Sequence, residues 1–175
     1  MFESNDTFIE EVVKALETPQ QKTRKSASIA ATILFLCLTV ILTGVFEIIA
    51  AVLLIFFAIF TIIILGSKNI EYEYDYTNGS LEIAKIINNE KRKKVVTVET
   101  TEVKMVAAVG TNESLKYDHV KLKTYDCSAH DDQQKDYILV AHSEAKGDDF
   151  KVIFTPSDKL LTAMERYNKR DIYRG

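Results

Sequence analysis

Tryptophan is absent from the 175 residues, and glycine, histidine and cysteine number only six, three and two. Each shortage removes a class of chemistry or architecture. Cys37 lies inside a long apolar run and Cys127 in the polar C-terminal part, so the even count does not describe a disulfide framework; two separated thiols fit a reducing compartment. Asp118-His119 and His130-Asp131-Asp132 have no partner at metal-site spacing. Ser128, His130 and Asp131 crowd triad residue types into one polar turn, without the strained elbow and backbone donors that a nucleophile requires. Asp131, Asp132, Asp148 and Asp149 read as solvated turn residues rather than a cation site. Six unpatterned glycines exclude a phosphate-cradling loop. The expectation is a non-catalytic protein with no metal and no cofactor. Without Trp, any aromatic anchoring at a membrane interface falls to Phe and Tyr.

Charge is the next thing in short supply, along one stretch. Ala27 to Gly66 holds a single charged residue, Glu47, in about 40 positions. One helix of that length would measure about 60 Å, roughly twice the hydrocarbon core of a bilayer. Two spans joined by a tight turn at Gly44 to Glu47 fit better, over roughly 27–44 and 47–66. Ala30, Ala31, Thr32, Thr39, Thr43, Ala50, Ala51 and Ala58 allow the two helices to approach closely. Glu47 reads as a marker of the turn rather than an ion-handling carboxylate, because no basic partner exists within the spans. A cleaved signal is disfavoured: no small-x-small site with a polar follow-on separates the two apolar segments.

Basic residues flank the hairpin at both ends and are missing from its turn. Lys22, Arg24 and Lys25 precede the first span and Lys68 follows the second. The positive-inside rule then places both termini in the cytoplasm, in a multi-pass protein of the cell membrane. The segment NDTFIEEVVKALETPQ reads as a short amphipathic helix capped by Asn5 or Asp6 and stopped by Pro19. Its stripe is Phe8, Ile9, Val12, Val13 and Leu16. Three Glu against one Lys on its polar face favour burial on protein over an anionic bilayer.

Residues 67–175 hold 18 Lys/Arg and 19 Asp/Glu, a balance that does not describe a nucleic-acid binder. Tyr72, Tyr74 and Tyr76 alternate with acidic residues, and Asn78-Gly79 is the preferred two-residue hairpin turn. This puts Tyr76 opposite Leu81 and Tyr74 opposite Ile83 on a core face, and Asp75 opposite Glu82 on a wet one. The Tyr stripe is core packing rather than a base-stacking platform.

INNEKRKK reads as a polar turn whose Lys91, Arg92, Lys93 and Lys94 are the densest positive charge in the chain. It is a solvated turn or an anionic contact with headgroups or a partner. Two strands or one bent strand follow over roughly 94–99 and 102–109, then a long loop over 110–120, with or without a helical turn. VKLKTYDCS, DYILVAHSE and DFKVIFT close as a three-stranded meander. Thr155-Pro156 opens a final helix with stripe Leu160, Leu161, Met164 and Tyr167, Asp158 in the capping-box position, and Lys169 and Arg170 near its end.

These elements predict an α+β chain in three parts: 1–26, a short helix and basic flank; 27–66, a transmembrane helical hairpin; and 70–175, a bent antiparallel β barrel or sandwich of about seven strands closed by a C-terminal helix. YEYDYTNGSLEI, EKRKK, VVTVETTEVKMV and PSDKLLTAMERYNKR follow the order of elements in pleckstrin-homology domains, and the chain resembles bacterial versions of that fold attached to membrane hairpins. More closely, the YxYxYTNGxLxI…KRK pattern resembles a family of small two-span membrane proteins from clostridia-like Gram-positive bacteria. The resemblance implies a bacterial source and brings no activity with it; pleckstrin-like folds bind phosphoinositides, peptides or partner proteins. The leading expectation is a membrane-anchored, non-catalytic interaction or scaffold module that presents its domain to a protein partner or to another copy of itself. The alternative is anionic-lipid binding through Lys91 to Lys94.

Overall fold

The computed structural model describes residues 7–66, 69–144 and 147–174, so Asn5, Asp6 and Lys68 lie outside the described residues. The chain divides into two compact units, a helical one over 17–68 and a sheet unit built from 1–16 together with 69–175. The hairpin therefore does not separate a leader from a domain. It is an insertion between two strands of one sheet.

The predicted N-terminal helix is a strand, β1 (Phe8–Lys14). It pairs antiparallel with β2 (Ile70–Thr77) from Phe8 opposite Thr77 to Lys14 opposite Glu71, and the Ala15 N–H extends the ladder to the Ile70 carbonyl at 3.0 Å. FIEEVVK satisfies the spacing of a helix and that of a strand equally well. Three β-branched residues and seven cross-strand pairs decide for the strand, since so short a helix is marginal alone. Pro19, read as a helix stop, instead begins a helix: Thr18 caps α1 (Pro19–Ile41) in a capping box with Gln21, and proline is tolerated where its missing N–H is not needed. The first helix thus starts eight residues before the expected 27, and Lys22, Arg24 and Lys25 lie within its opening turns.

Leu42 to Gly44 make the turn, with Gly44 at φ +71° as the N-cap of α2 (Val45–Leu65), and Glu47 sits exposed in that helix's first turn. Both helices are long and apolar enough to cross a membrane. Thr32 Oγ1 and Thr61 Oγ1 lie 2.9 Å apart, Thr61 also donates to the Ser28 carbonyl at 3.1 Å, and the Phe35 and Phe57 rings stack at 4.9 Å. Polar pairing between small residues is how helices cohere in lipid.

In the sheet unit, β2 joins β3 (Ser80–Ile87) through Asn78 (φ +49°) and Gly79 (φ +94°), in the expected register of Tyr76 to Leu81 and Tyr74 to Ile83. Asn88 and Asn89, both at positive φ, turn the chain into β4 (Lys91–Glu99). The basic run is therefore the start of a strand rather than a turn. A bulge at Val95 resets its register, with Ile83 opposite Val96 and Ala84 opposite Lys94. The four strands run in the order β1-β2-β3-β4.

The second sheet contains β5 (Val103–Ala108), β6 (Lys123–Cys127), β7 (Tyr137–Ser143), β8 (Asp148–Phe154) and β9 (Ile172–Tyr173), in the order β6-β8-β7-β5-β9. The expected meander fails at one step. β7 and β8 form a hairpin, but β6 lies parallel to β8 on its far side: the 128–136 connection is too long for a tight turn and passes the end of β8, where the Ala129 N–H meets Thr155. Nine strands among the described residues replace the expected seven; β1 and β9 are the additions.

The core lies between the sheets, where Tyr74, Tyr76, Leu81, Ile83, Leu139 and Phe154 are fully buried. Tyr74 Oη donates to the Cys127 carbonyl at 2.6 Å and accepts from the Thr155 N–H at 3.2 Å, so the phenol ties the sheets together without an orphaned polar atom. Burial raises the Tyr74 hydroxyl well above its ordinary range and pushes the Cys127 thiol up to about 12. The segment 109–122, with the short helix α3 (Asn112–Leu115), covers the other face of the second sheet. There Tyr117 and Leu122 pack on Met105, Ala107, Ile138 and Val140, which is why YILVA reads as a continuous apolar run.

Helix α4 (Asp158–Tyr167) buries Leu160, Leu161, Ala163 and Met164, while Tyr167 is exposed with its ring 5.9 Å from Tyr76. Its cap is Ser157, not Thr155, and Lys169 and Arg170 fall beyond its end. The Thr155 hydroxyl is already used: it donates to Asp136 and accepts from the Ala129 N–H at 2.8 Å. Glu11 of β1 receives the Ser157 N–H at 3.0 Å and its hydroxyl at 2.5 Å, so the first strand also anchors the last helix.

Candidate interaction surface

Strand β4 is the last of its sheet and β6 the last of the other. Their outer edges carry backbone groups that no strand pairs among the described residues. Between them runs a groove of about 420 Å³, lined by Lys94 to Thr97 on one side and by Lys123, Tyr125 and Phe150 on the other, with Ser143, Asp148 and Asp149 at its end. Its apolar floor includes Tyr125 packed edge-on against Phe150 at 5.9 Å, and Lys123 Nζ stands 4.8 Å from the Tyr125 ring centre. Lys104 holds Asp149 through both carboxylate oxygens at 2.6 Å, and His142 Nδ1 lies 2.7 Å from the same carboxylate. These bonds, Lys104 first and His142 next, hold the Asp149 carboxyl below its ordinary range.

Strand alternation divides the four basic residues. Arg92 and Lys94 lie on the outer face of the first sheet, where Arg92 binds Glu73, Asp75 at 2.8 Å and Glu82 at 3.2 Å, and Lys94 binds Glu82 at 2.8 Å. The face on which Asp75 meets Glu82 is thus a charge network bridged by Arg92. Lys94 and then Arg92 pull the Glu82 carboxyl down, whereas partial burial and then Glu73 push Asp75 up. Glu10, Glu73 and Asp75 bring carboxylate oxygens within 4.8 Å of one another, and the Arg92 guanidinium already occupies two of the three. Lys91 and Lys93 point to the other side, Lys93 opposite Lys85, and neither forms an ion pair among the described residues.

The groups weighed for catalysis are structural. Ser128 Oγ lies 2.9 Å from Asp126 Oδ1 and 3.1 Å from His130 Nδ1, yet Ser128 is 1 % exposed and the Asp126 carboxylate also faces His130 Nε2 at 3.7 Å. That is a self-satisfied turn with His130 at φ +52°, closed to substrate. Asp131 receives the Gln133 N–H and holds the Gln134 side chain. No catalytic constellation is present among the described residues.

Sequence reasoning located the positive charge of the surface but missed the groove. Val95, Tyr125 and Asp149 come together only because β6 sits parallel at the sheet edge, and no local pattern announces that. The alternation of Lys121, Lys123 and Tyr125 was the available signal for a strand with a charged outer edge.

The sequence model of a family described as "Bacterial PH-like domain (DUF6106)" matches residues 5–174. No curated protein and no solved structure matches the chain. The match begins before β1 and ends after β9, so it takes in the strand ahead of the hairpin as well as the sandwich behind it: the chain belongs to this family of bacterial PH-like domains, here one whose first two strands are separated by two helices long and apolar enough to cross a membrane.

Proposed function

We propose that the protein is a membrane-anchored scaffold whose PH-like domain takes an extended segment of a protein partner, or of a second copy of itself, along the open edge of β4. The observation that carries this reading is the groove between β4 and β6, which couples unpaired strand-edge groups to an apolar floor at Tyr125 and Phe150. Added strands gain affinity from main-chain hydrogen bonds and specificity from side-chain pockets beside the edge.

The pairing of β1, which precedes the helices, with β2, which follows them, supports a hairpin with both ends on one face of the bilayer. Lys22, Arg24 and Lys25 at that end favour the cytoplasmic face. Anionic-lipid binding through Lys91 to Lys94 is the weaker reading, since Arg92 and Lys94 are already spent on Glu73, Asp75 and Glu82. A photo-crosslinking residue placed at Val95 or Tyr125 in living cells tests the proposal. Discrete protein adducts at both positions and none at Phe8 are expected; adducts equally strong at Phe8, or lipid adducts alone, overturn it.

A further inference from the structure

At the open end of the helical unit, α1 and α2 enclose a second groove, of about 640 Å³. Its inner part, toward the middle of the spans, is apolar, formed by Phe57, Phe60 and Ile64 of α2 with Ala27 and Ala31 of α1. Its mouth, toward the start of α1, is polar and basic, formed by Gln21, Arg24 and Lys25, with the buried Ser28 where the two parts meet. We propose that this groove is a binding site for one anionic phospholipid of the surrounding leaflet, with an acyl chain along Phe57, Phe60 and Ile64 and the headgroup phosphate at Arg24.

Chemistry changes along the groove in the order in which it changes along a phospholipid. The apolar residues lie within the two spans, and the basic ones lie in the second turn of α1, near the end where α2 leaves its apolar stretch. A groove built for a soluble anion has no use for two phenyl rings along its wall; one built for packing a third helix has no use for a guanidinium at its mouth. The floor is made possible by small side chains: Ala27, Ser28 and Ala31 leave room on α1 that larger residues would fill.

Charge at the mouth is not uniform. Lys25 bonds to Glu17, which offsets part of its charge, whereas Arg24 is exposed and makes no ion pair among the described residues. A guanidinium also presents a planar fork that matches phosphate oxygens. Basic pockets beside spans on the cytoplasmic side are the general setting in which anionic headgroups are held. Arg24, rather than Lys91 to Lys94, is therefore the residue on which headgroup preference depends.

The proposal rests on the membrane reading but not on any protein partner. Its test uses the full chain in lipid nanodiscs and native mass spectrometry, comparing retained phosphatidylglycerol with phosphatidylcholine of the same acyl chains. Retention of phosphatidylglycerol in preference is expected. R24Q should cut that preference about five-fold, the effect of one surface charge of about 1 kcal/mol, and R24K should keep most of it. A31F, which fills the floor, should lower retention of both lipids while helical content by circular dichroism stays unchanged. Equal retention of the two lipids by the parent protein overturns the proposal, as does a preference lost on K91Q/K93Q and kept in R24Q. Displacement of the lipid by glycerol phosphate alone would mark a soluble-anion site and overturn it equally. Failure to enter nanodiscs at all would remove the membrane reading and this proposal with it, and incorporation yield reports that separately.

Discussion

Replacing Ile9 and Val12 by alanine, one at a time, distinguishes a first strand from a first helix. On a helix, both belong to one stripe and would be lost at similar cost. On β1 they face opposite sides: Ile9 lies opposite Tyr76, faces the core and is 8 % exposed, while Val12 lies opposite Glu73 on the charged outer face and is 51 % exposed. Truncating a buried Ile to Ala costs about 2–5 kcal/mol, and a site at a sheet edge belongs at the lower end, about 2–3. An exposed Val on the outer face belongs within about 0.5 kcal/mol. At about 4 °C per kcal/mol for a domain of this size, Ile9→Ala should lower the melting temperature by roughly 10 °C and Val12→Ala by about 2 °C or less. Thermal unfolding of the full chain in detergent, followed by tyrosine fluorescence, reads this directly, because Tyr72, Tyr74 and Tyr76 lie in the core beside β1. Equal losses from the two variants, or no loss from Ile9→Ala, would refute the strand and with it the inserted hairpin.

Gly79→Ala should destabilise the sheet unit by about 1–3 kcal/mol, since φ is +94° and a Cβ would come within 3.0 Å of Thr100 Oγ1 and 3.2 Å of the Tyr167 ring; a chemical-denaturation midpoint unchanged from the parent would contradict this. Cys127, 1 % exposed with its thiol pushed up to about 12, should resist iodoacetamide at pH 8 in the folded protein and react once urea unfolds it; rapid native labelling counts against the burial described. Because the Asp149 carboxyl is held below its ordinary 3.8, the stability it adds is complete above that pH and is lost as pH falls through its lower folded value. The stability difference between the parent and Asp149→Asn should therefore shrink in acid below pH 3.8, and a difference that grows there is the contrary result.

Local signals proved legible and non-local ones did not. The apolar run, its break at Gly44, the Asn78-Gly79 turn and the inward Tyr face all rest on neighbours in sequence or on a two-residue hairpin, and each stands where periodicity put it. β1 escaped because its partner lies beyond the whole hairpin: Glu11 meets Tyr74 across more than 60 residues, and no pattern within FIEEVVK reports that pairing. The parallel placements of β6 and β9 escaped for the same reason. Thr155 looked like a helix cap because its competition for Asp136 and Ala129 is tertiary. Of the basic cluster, charge density was visible. The pairing of Arg92 and Lys94 was not, since Arg92 reaches Glu73 and Asp75 two strands away.

The central claim is that a membrane hairpin interrupts one sheet, so that the strands before and after it share one side of the bilayer. Single cysteines at Thr43, Glu11 and Glu90, in a chain with Cys37 and Cys127 replaced by serine, test it when intact bacterial cells are exposed to a membrane-impermeant maleimide. The account predicts labelling at Thr43 in intact cells, and labelling at Glu11 and Glu90 only after permeabilisation. Labelling of Glu11 and Glu90 from opposite sides, or of Thr43 from the same side as both, would contradict it.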